Sequence, residues 1–378
     1  MTEPSTPLRI LHVFRSPVGG LFRHVIDVAR GQASRGHQVG IVCDDDTGGE
    51  NAGKVLDEIS ASLALGLLRV PMGRQLGLGD YSATRHVARR VTETRPDVVH
   101  GHGAKGAAYA RLAVSAGGPI RAVTPHGGSL LYNPGTAAGI LYLTLEKLLK
   151  SRTDLFLFES AFIERLYRAK LGDPQTTCRT VSNGVGAEEF AEVRPEPQAT
   201  DILYIGELRH LKGVDVLLES LAHLRAKGLS LTATIVGGGI SRSDLQQLAQ
   251  QLGLERAVRF LPPMPARRAF ALGRIMVVPS RMESFPYIVL EVAAAGKPLI
   301  ATAVGGIPDI FGPLSDRLIP ADDCDALENA IAAAVNTPET INETARLLQE
   351  RVRAKFSLDE MVDSGLAAYR AALAVRRR

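Results

Sequence analysis

Aromatic residues are scarce, at 5% of the chain, and no nucleic-acid-binding motif accompanies them, so a nucleic-acid partner is not expected. The three cysteines, Cys43, Cys178 and Cys324, are odd in number and far apart. They suggest no disulfide framework, and a reducing cytoplasm is the expected compartment. No apolar run approaches the roughly 20 residues of a membrane-spanning helix. Met1–Pro7 lacks the basic and apolar regions of a signal peptide. A soluble or peripheral protein is therefore expected. The G-x-G-x-x-G dinucleotide fingerprint is also missing, which argues against a nicotinamide oxidoreductase. Charge is only mildly one-sided, at +4, enough to suit anionic ligands or an anionic surface.

What the chain has instead is alternation. At 378 residues, 45% of them hydrophobic and with 37 glycines, it is too long for one core, and two α/β domains are the natural division. Apolar runs at 8–14, 39–43, 63–70, 97–100, 120–124, 154–158 and 178–181 read as strands. Helical patterns follow the first strand as far as Gly36 and recur at 81–94, 136–149 and 161–171. The alternation resumes with strands at 201–205, 231–236, 258–261, 275–278 and 299–302, and helices at 214–227 and 243–252. A short strand, a helix at 325–336 and an amphipathic tail complete it. Such a pattern gives parallel sheets covered on both faces, with ligands at the carboxyl ends of the strands. The polar, proline-bearing stretch 191–200 reads as a linker. The expected divisions are 1–195, 196–355 and a terminal helix at 356–378.

Chemistry concentrates where strands end. The first strand runs into Pro17-Val18-Gly19-Gly20, an opening that lets backbone approach a phosphate. Asp44-Asp45-Asp46 reads as an acidic loop rather than a metal site. His100 and His102 would mark zinc only if further ligands converged; the neighbouring sequence offers none, and both read as structural. His126 follows the strand at 120–124. The helix at 136–149 leads into Lys147, Lys150 and Arg152, cations that complement its dipole, while its apolar Ile140 and Leu141 permit contact with a membrane surface. Gly237-Gly238-Gly239 makes a turn that would also admit a nucleotide base.

The densest stretch is Pro279–Pro298. Glu283 sits in a loop after the strand at 275–278. Ser284 is placed to cap the next helix, Pro286 suits its first turn, and Gly296 with Pro298 ends it. A helix start of this kind attracts a phosphate. Glu291, a turn and a half inside, is positioned to accept hydrogen bonds from hydroxyls.

This run resembles the Glu-x7-Glu signature of retaining glycosyltransferases of family 4, the glycosyl transferases group 1. Glu283 and Glu291 fall on the two glutamates, and the Ala-Ala-Gly-Lys-Pro-Leu-Ile-Ala tail matches. The likeness extends over almost the whole chain. Gly19-Gly20 resembles the family's donor-side glycine loop, Pro125-His126-Gly127-Gly128 its His-Gly element, and Asn183-Gly184-Val185 the end of its first domain. The loop from Gly206 to Gly213 resembles Gly-Arg-Leu-x-x-x-Lys-Gly, with Lys212 on the lysine. Its arginine slot holds Glu207, which would repel phosphate, so Arg209 is the expected substitute.

The resemblance implies the GT-B fold: two Rossmann-like, doubly wound parallel-sheet domains facing a central cleft, with the last helix crossing back to the first. It implies a hexosyltransferase that takes its sugar from a UDP- or GDP-sugar, keeps the anomeric configuration, and needs neither metal nor cofactor. His126 and Glu283 would be catalytic. Gly19, Gly20, Arg209, Lys212, Gly238, Ser284, Phe285 and Glu291 would hold the donor. The expected acceptor is a glycan or lipid-linked saccharide of a bacterial envelope pathway, with peripheral contact to the anionic inner face of the plasma membrane. Two other readings remain open: a different GT-B nucleotide-sugar enzyme, an epimerase or phosphorylase, and a non-catalytic nucleotide-sugar-binding protein, which Glu207 alone favours.

Overall fold

A computed structural model describes residues 6–376; the start of the Met1–Pro7 segment, and Arg377 and Arg378 of the terminal arginine run, lie outside the described residues. Two compact units divide the chain. One comprises the residues up to Asn183 together with those from Leu358 onward, and the other is Gly184–Ser357. The division therefore falls upstream of residue 195, and the 191–200 stretch belongs to the second unit, where Glu196 N–H donates to the carbonyl of Ala271.

The first unit alternates β1 (Arg9–Phe14), α1 (Gly19–Ser34), β2 (Gln38–Asp44), α2 (Gly49–Ser60), β3 (Leu67–Val70), α3 (Leu78–Thr94), β4 (Val98–His102), α4 (Gly103–Ala113), β5 (Ile120–Thr124), α5 (Ala137–Lys150), β6 (Leu155–Phe158), α6 (Ala161–Leu171) and β7 (Thr177–Thr180). Its seven strands are parallel, in the order β3-β2-β1-β4-β5-β6-β7. The chain winds outward from β1 to β3, then crosses to β4 and winds the other way. Ligands of open α/β sheets gather outside the strand ends at that reversal. Side-chain oxygens of Thr136 and Ser160 cap α5 and α6, accepting from the backbone N–H of Gly139 and Ile163.

The second unit holds β8 (Thr200–Ile205), α7 (Val214–Ala226), β9 (Ala233–Val236), α8 (Arg242–Gln251), β10 (Val258–Leu261), α9 (Ala266–Phe270), β11 (Gly273–Val278), α10 (Tyr287–Ala294), β12 (Leu299–Ala301), α11 (Ile307–Phe311), α12 (Cys324–Asn336) and α13 (Pro338–Lys355). Five parallel strands run in the order β10-β9-β8-β11-β12, reversing between β8 and β11. Successive residues of β11 feed opposite layers, as the strand period requires. Met276 and Val278 pack with Val289 and Phe285, while Ile275 and Val277 pack with Ile202 and Leu217.

The last helix, α14 (Leu358–Arg376), belongs to the first unit. Its buried Met361, Val362, Leu366 and Tyr369 cover Ile10, Val28 and Leu155, each large side chain contributing about 1.5–3 kcal/mol by area.

Three local expectations change. Ser284 does not cap α10: the helix starts at Tyr287 with Pro286, still extended, at its N-cap. Glu291 is therefore only four residues inside. The strand expected at 63–70 begins at Leu67, because a turn closed by Gly66 N–H to the Leu63 carbonyl precedes it. The short strand expected before 325 is a single bridge, Thr302 with Ile319.

Candidate active site

The second unit brings together two loops that the sequence separates by seventy residues, because β8 and β11 are neighbours at the reversal. Arg281 ties them: its guanidinium makes two hydrogen bonds of 2.8 Å to the carboxylate of Asp215, and its backbone N–H donates to the Leu211 carbonyl. Gly213 has φ +65, and a Cβ there would lie 2.0 Å from the Pro279 carbonyl oxygen. Gly305 has φ +60, and a Cβ there would lie 1.7 Å from the carbonyl oxygen of Glu283. Only glycine fits either place.

Lys212 and Glu283 meet in this frame, Nζ to Oε1 at 2.6 Å. Ser280 Oγ donates to the same oxygen at 2.7 Å, and Thr302 Oγ1 fixes the Ser280 carbonyl at 2.6 Å. Glu283 is 8% exposed, so its charge is held by two donors rather than by water. The sequence expected Lys212 for phosphate and Glu283 for sugar as separate functions. The structure joins them in one ion pair.

Arg209 pairs with Glu207 at 3.1 Å, and both side chains are about half exposed. Glu207 thus holds the guanidinium expected to replace the missing arginine. Phe285 is buried against Phe356, ring centroids 5.6 Å apart, in the hydrophobic core. Ser284 and Glu291 are half-buried on the same loop and helix. The triple glycine has another explanation than a base pocket. Gly237 and Gly239 lie directly against the carbonyls of Gly206 and Leu208, while Gly238 meets only the Pro263 ring.

In the first unit five histidines converge at the reversal between β1 and β4. The expectation that nothing joins His100 and His102 is corrected: His12, His24 and His126 do. Gln32 Oε1 is an acceptor, so the bonds order themselves. His12 Nε2–H donates to Gln32 at 2.8 Å, His102 Nε2–H donates to His12 Nδ1 at 2.9 Å, and His126 Nε2–H donates to His102 Nδ1 at 3.2 Å. His24 Nδ1–H donates to Asn183 Oδ1 at 2.9 Å. His100 lies between Tyr369 Oη, 2.7 Å away, and Thr124 Oγ1, 2.9 Å away.

Burial keeps the rings neutral. It pushes His12 and His24 down to about 4, and it holds His100, His102 and His126 well below the usual range. His126 also has φ +51, rare for a side chain of this size. Beside it, Glu159 at the end of β6 is 1% exposed, and its carboxyl faces the backbone N–H groups of Glu159 itself, His126 and Gly127. Burial raises its pKa to about 7.

Two histidine triplets, His12–His100–His102 and His24–His102–His126, bring nitrogens within 4.8 Å and are the first unit's possible metal ligands among the described residues. Internal hydrogen bonds already satisfy most of those nitrogens. Asp44 spends its carboxylate on Thr47 and the Met72 N–H, and Asp45 and Asp46 are exposed. Gly19 has φ +65 and opens α1 with Gly20, with nothing within 4 Å of where its Cβ would be.

His126 and His102 line a 270 Å³ cavity whose walls include Arg15, Ser16, Arg74 and Tyr132. The sequence reading missed Arg15, Arg74, His12 and His24. His12 had a visible signal, a lone polar residue in the apolar run Ile-Leu-His-Val-Phe. The others had none.

Two parallel sheets, each with a glycine-rich or cationic loop at its reversal, make up a GT-B fold. Comparison with solved structures agrees. Sucrose-phosphate synthase from Thermosynechococcus elongatus superimposes with a TM-score of 0.80 at 19% identity, covering 97% of this chain and 100% of that one. An Anabaena protein, HepE, solved in complex with UDP and glucose, gives 0.80 at 17% identity over 96% of this chain and 100% of that one.

The family follows from sequence. The profile of glycosyl transferases group 1 matches residues 187–353, and that of the glycosyl transferase 4-like domain matches 19–184. The chain belongs to the group 1 glycosyltransferases of family 4, a family of transferase enzymes. It is 26% identical to glycogen synthase of Mycobacterium tuberculosis, over 94% of this chain and 92% of that one. It is 32% identical to the D-inositol 3-phosphate glycosyltransferase of Saccharomonospora viridis over 58% of its own length, but spans only 55% of that relative.

Proposed function

We propose that the protein transfers a hexose from a nucleoside-diphosphate sugar to a glycan or lipid-linked acceptor, with retention at the anomeric carbon and without a metal ion. The observation that carries this reading is the Lys212–Glu283 pair, 2.6 Å apart at the ends of β8 and β11. As the sugar–phosphate bond breaks, the diphosphate gains negative charge. An ammonium already held in place can stabilise that charge without reorganising. Glu283 keeps Lys212 aimed while the site is empty and faces the positive charge that develops on the sugar. The N-terminal backbone of α10 adds a positive dipole end, and Glu291 would accept from the ribose hydroxyls. Arg209 must leave Glu207 to assist.

His126 is neutral and spends Nε2–H on His102, which leaves Nδ1 to accept from a hydroxyl. Gly19 and Gly20 would let a phosphate or sugar approach the start of α1. Retention and metal independence rest on the Glu-x7-Glu resemblance. Among the described residues no helix is long and apolar enough to cross a membrane.

The UDP and glucose in the Anabaena neighbour make UDP-glucose the first donor to try, followed by GDP- and ADP-sugars in a thermal-shift panel. Lys212→Ala is expected to weaken donor binding at least tenfold, about 1.5–3 kcal/mol for a hydrogen bond to a charged group. Unchanged affinity and rate would refute the assignment. Product anomeric configuration by NMR, and rates measured with and without a chelator, test the remaining two claims.

A further inference from the structure

Beside the His126 cavity lies a second one, of 380 Å³, walled by α3, α4 and α5, a size typical of small-ligand sites. Its walls are mostly hydrocarbon and ring: Leu76, Ala108, Leu112, Tyr142, Leu145 and Leu149. At its mouth Leu76, Leu112 and Tyr81 are 45%, 48% and 68% exposed. The two cavities share Ala104, Lys105, Ser129 and Tyr142, so the apolar groove runs on from the polar cavity.

The polar cavity is positively charged. Neither Arg15 nor Arg74 makes a side-chain hydrogen bond or ion pair among the described residues; Arg15 is half-buried and Arg74 exposed at the rim. Lys105 sets the position of Arg74: its Nζ donates at 2.6 Å to the carbonyls of Gly73 and Gln75, on either side of it, and to Asp80. An unpaired, partly desolvated guanidinium calls for an anion.

We propose that the acceptor is an amphiphile whose apolar chain lies in the groove of α3, α4 and α5 while an adjoining phosphate meets Arg15 and Arg74 in the cavity beside His126. This rests on the glycosyl-transfer reading above and names its acceptor class. A plain glycan does not suit the groove, because its hydroxyls would lose water and find few partners. A membrane surface does not suit it either, since the apolar residues line a recess continuous with the cation pair.

Alkyl phosphates below their micelle concentration test the proposal, with the full chain in titration calorimetry. Decyl phosphate is expected to bind at least tenfold more tightly than butyl phosphate. Ala108→Phe, which fills the groove, and Leu112→Asp, at an exposed position that folding tolerates, should each abolish that gain and leave butyl phosphate binding unchanged. Arg74→Ala should weaken both ligands. Equal affinity for the two chain lengths, or a gain that survives both groove variants, overturns the proposal. Binding to phosphatidylglycerol vesicles without any chain-length gain also overturns it, in favour of surface adsorption. The nucleotide-sugar thermal shifts report the transfer reading separately, so a failed donor and a failed groove are told apart.

Discussion

Glu159 is a carboxylic acid in the wrong solvent. Its oxygens are buried, and burial outweighs the backbone N–H groups of Glu159, His126 and Gly127 around them, so its pKa rises from 4.5 to about 7. An acid whose folded pKa is raised holds its proton longer in the native state. Its contribution is complete below pH 4.5 and is lost as pH rises through 7. The loss is on the order of 3 kcal/mol. Glu159→Gln cannot titrate, so the stability difference between mutant and wild type, from urea melts, should move in the mutant's favour from pH 4.5 to 8. A flat difference would show that the carboxyl is solvated. In the Lys212–Glu283 pair, by contrast, each group has its partner at 2.6 Å. Removing the lysine leaves Glu283, among the described residues, with Ser280 as its one side-chain donor, and the loss should be felt in donor affinity as well as rate.

At the scale of elements, the site is held by loops that touch through backbone. Gly305 sits against the Glu283 carbonyl at positive φ. Gly305→Ala must strain the backbone, by roughly 1–3 kcal/mol, or push Glu283 away from Lys212. The expected outcome is a lower rate with a modest fall in melting temperature. Gly53 provides the contrast: it lies inside α2 with nothing near its missing Cβ. Gly53→Ala should stabilise by about 0.5–1 kcal/mol through helix propensity and leave the rate unchanged. Existence and type of most elements were legible in the sequence, because apolar runs and caps are local. The strands at 120–124 and 258–261 and the helix at 161–171 lie where the periodicity puts them. The start of α10 was misjudged, because Ser284 is a good cap residue whose loop is instead committed to positioning Glu283. Helix α13 went unread: only Ala345, Leu348 and Val352 are buried on it, too sparse a face to stand out.

For the whole molecule, acid should act unevenly. A histidine with a depressed folded pKa gives stability that is present above its unfolded value of 6.5 and lost as pH falls towards the folded value. For His12 and His24 that window runs from 6.5 down to about 4, worth on the order of 3 kcal/mol for either ring. Hydrogen exchange at pH 7 and pH 5, corrected for intrinsic rates, should reveal lost protection in β1, β4 and β5 before β8 and β11. Equal loss in both units would contradict the buried, neutral cluster.

The sequence by itself determined the class: strand and helix periods are local, and Glu283, Glu291 and Lys212 sit in short motifs whose spacing is carried along the chain. Only the tertiary structure decided which of these residues touch. Strand order places β8 beside β11 and β1 beside β4 and so joins Lys212 to Glu283 and His12 to His102. Pairing across a parallel sheet depends on packing among distant segments, and no spacing along the chain records it.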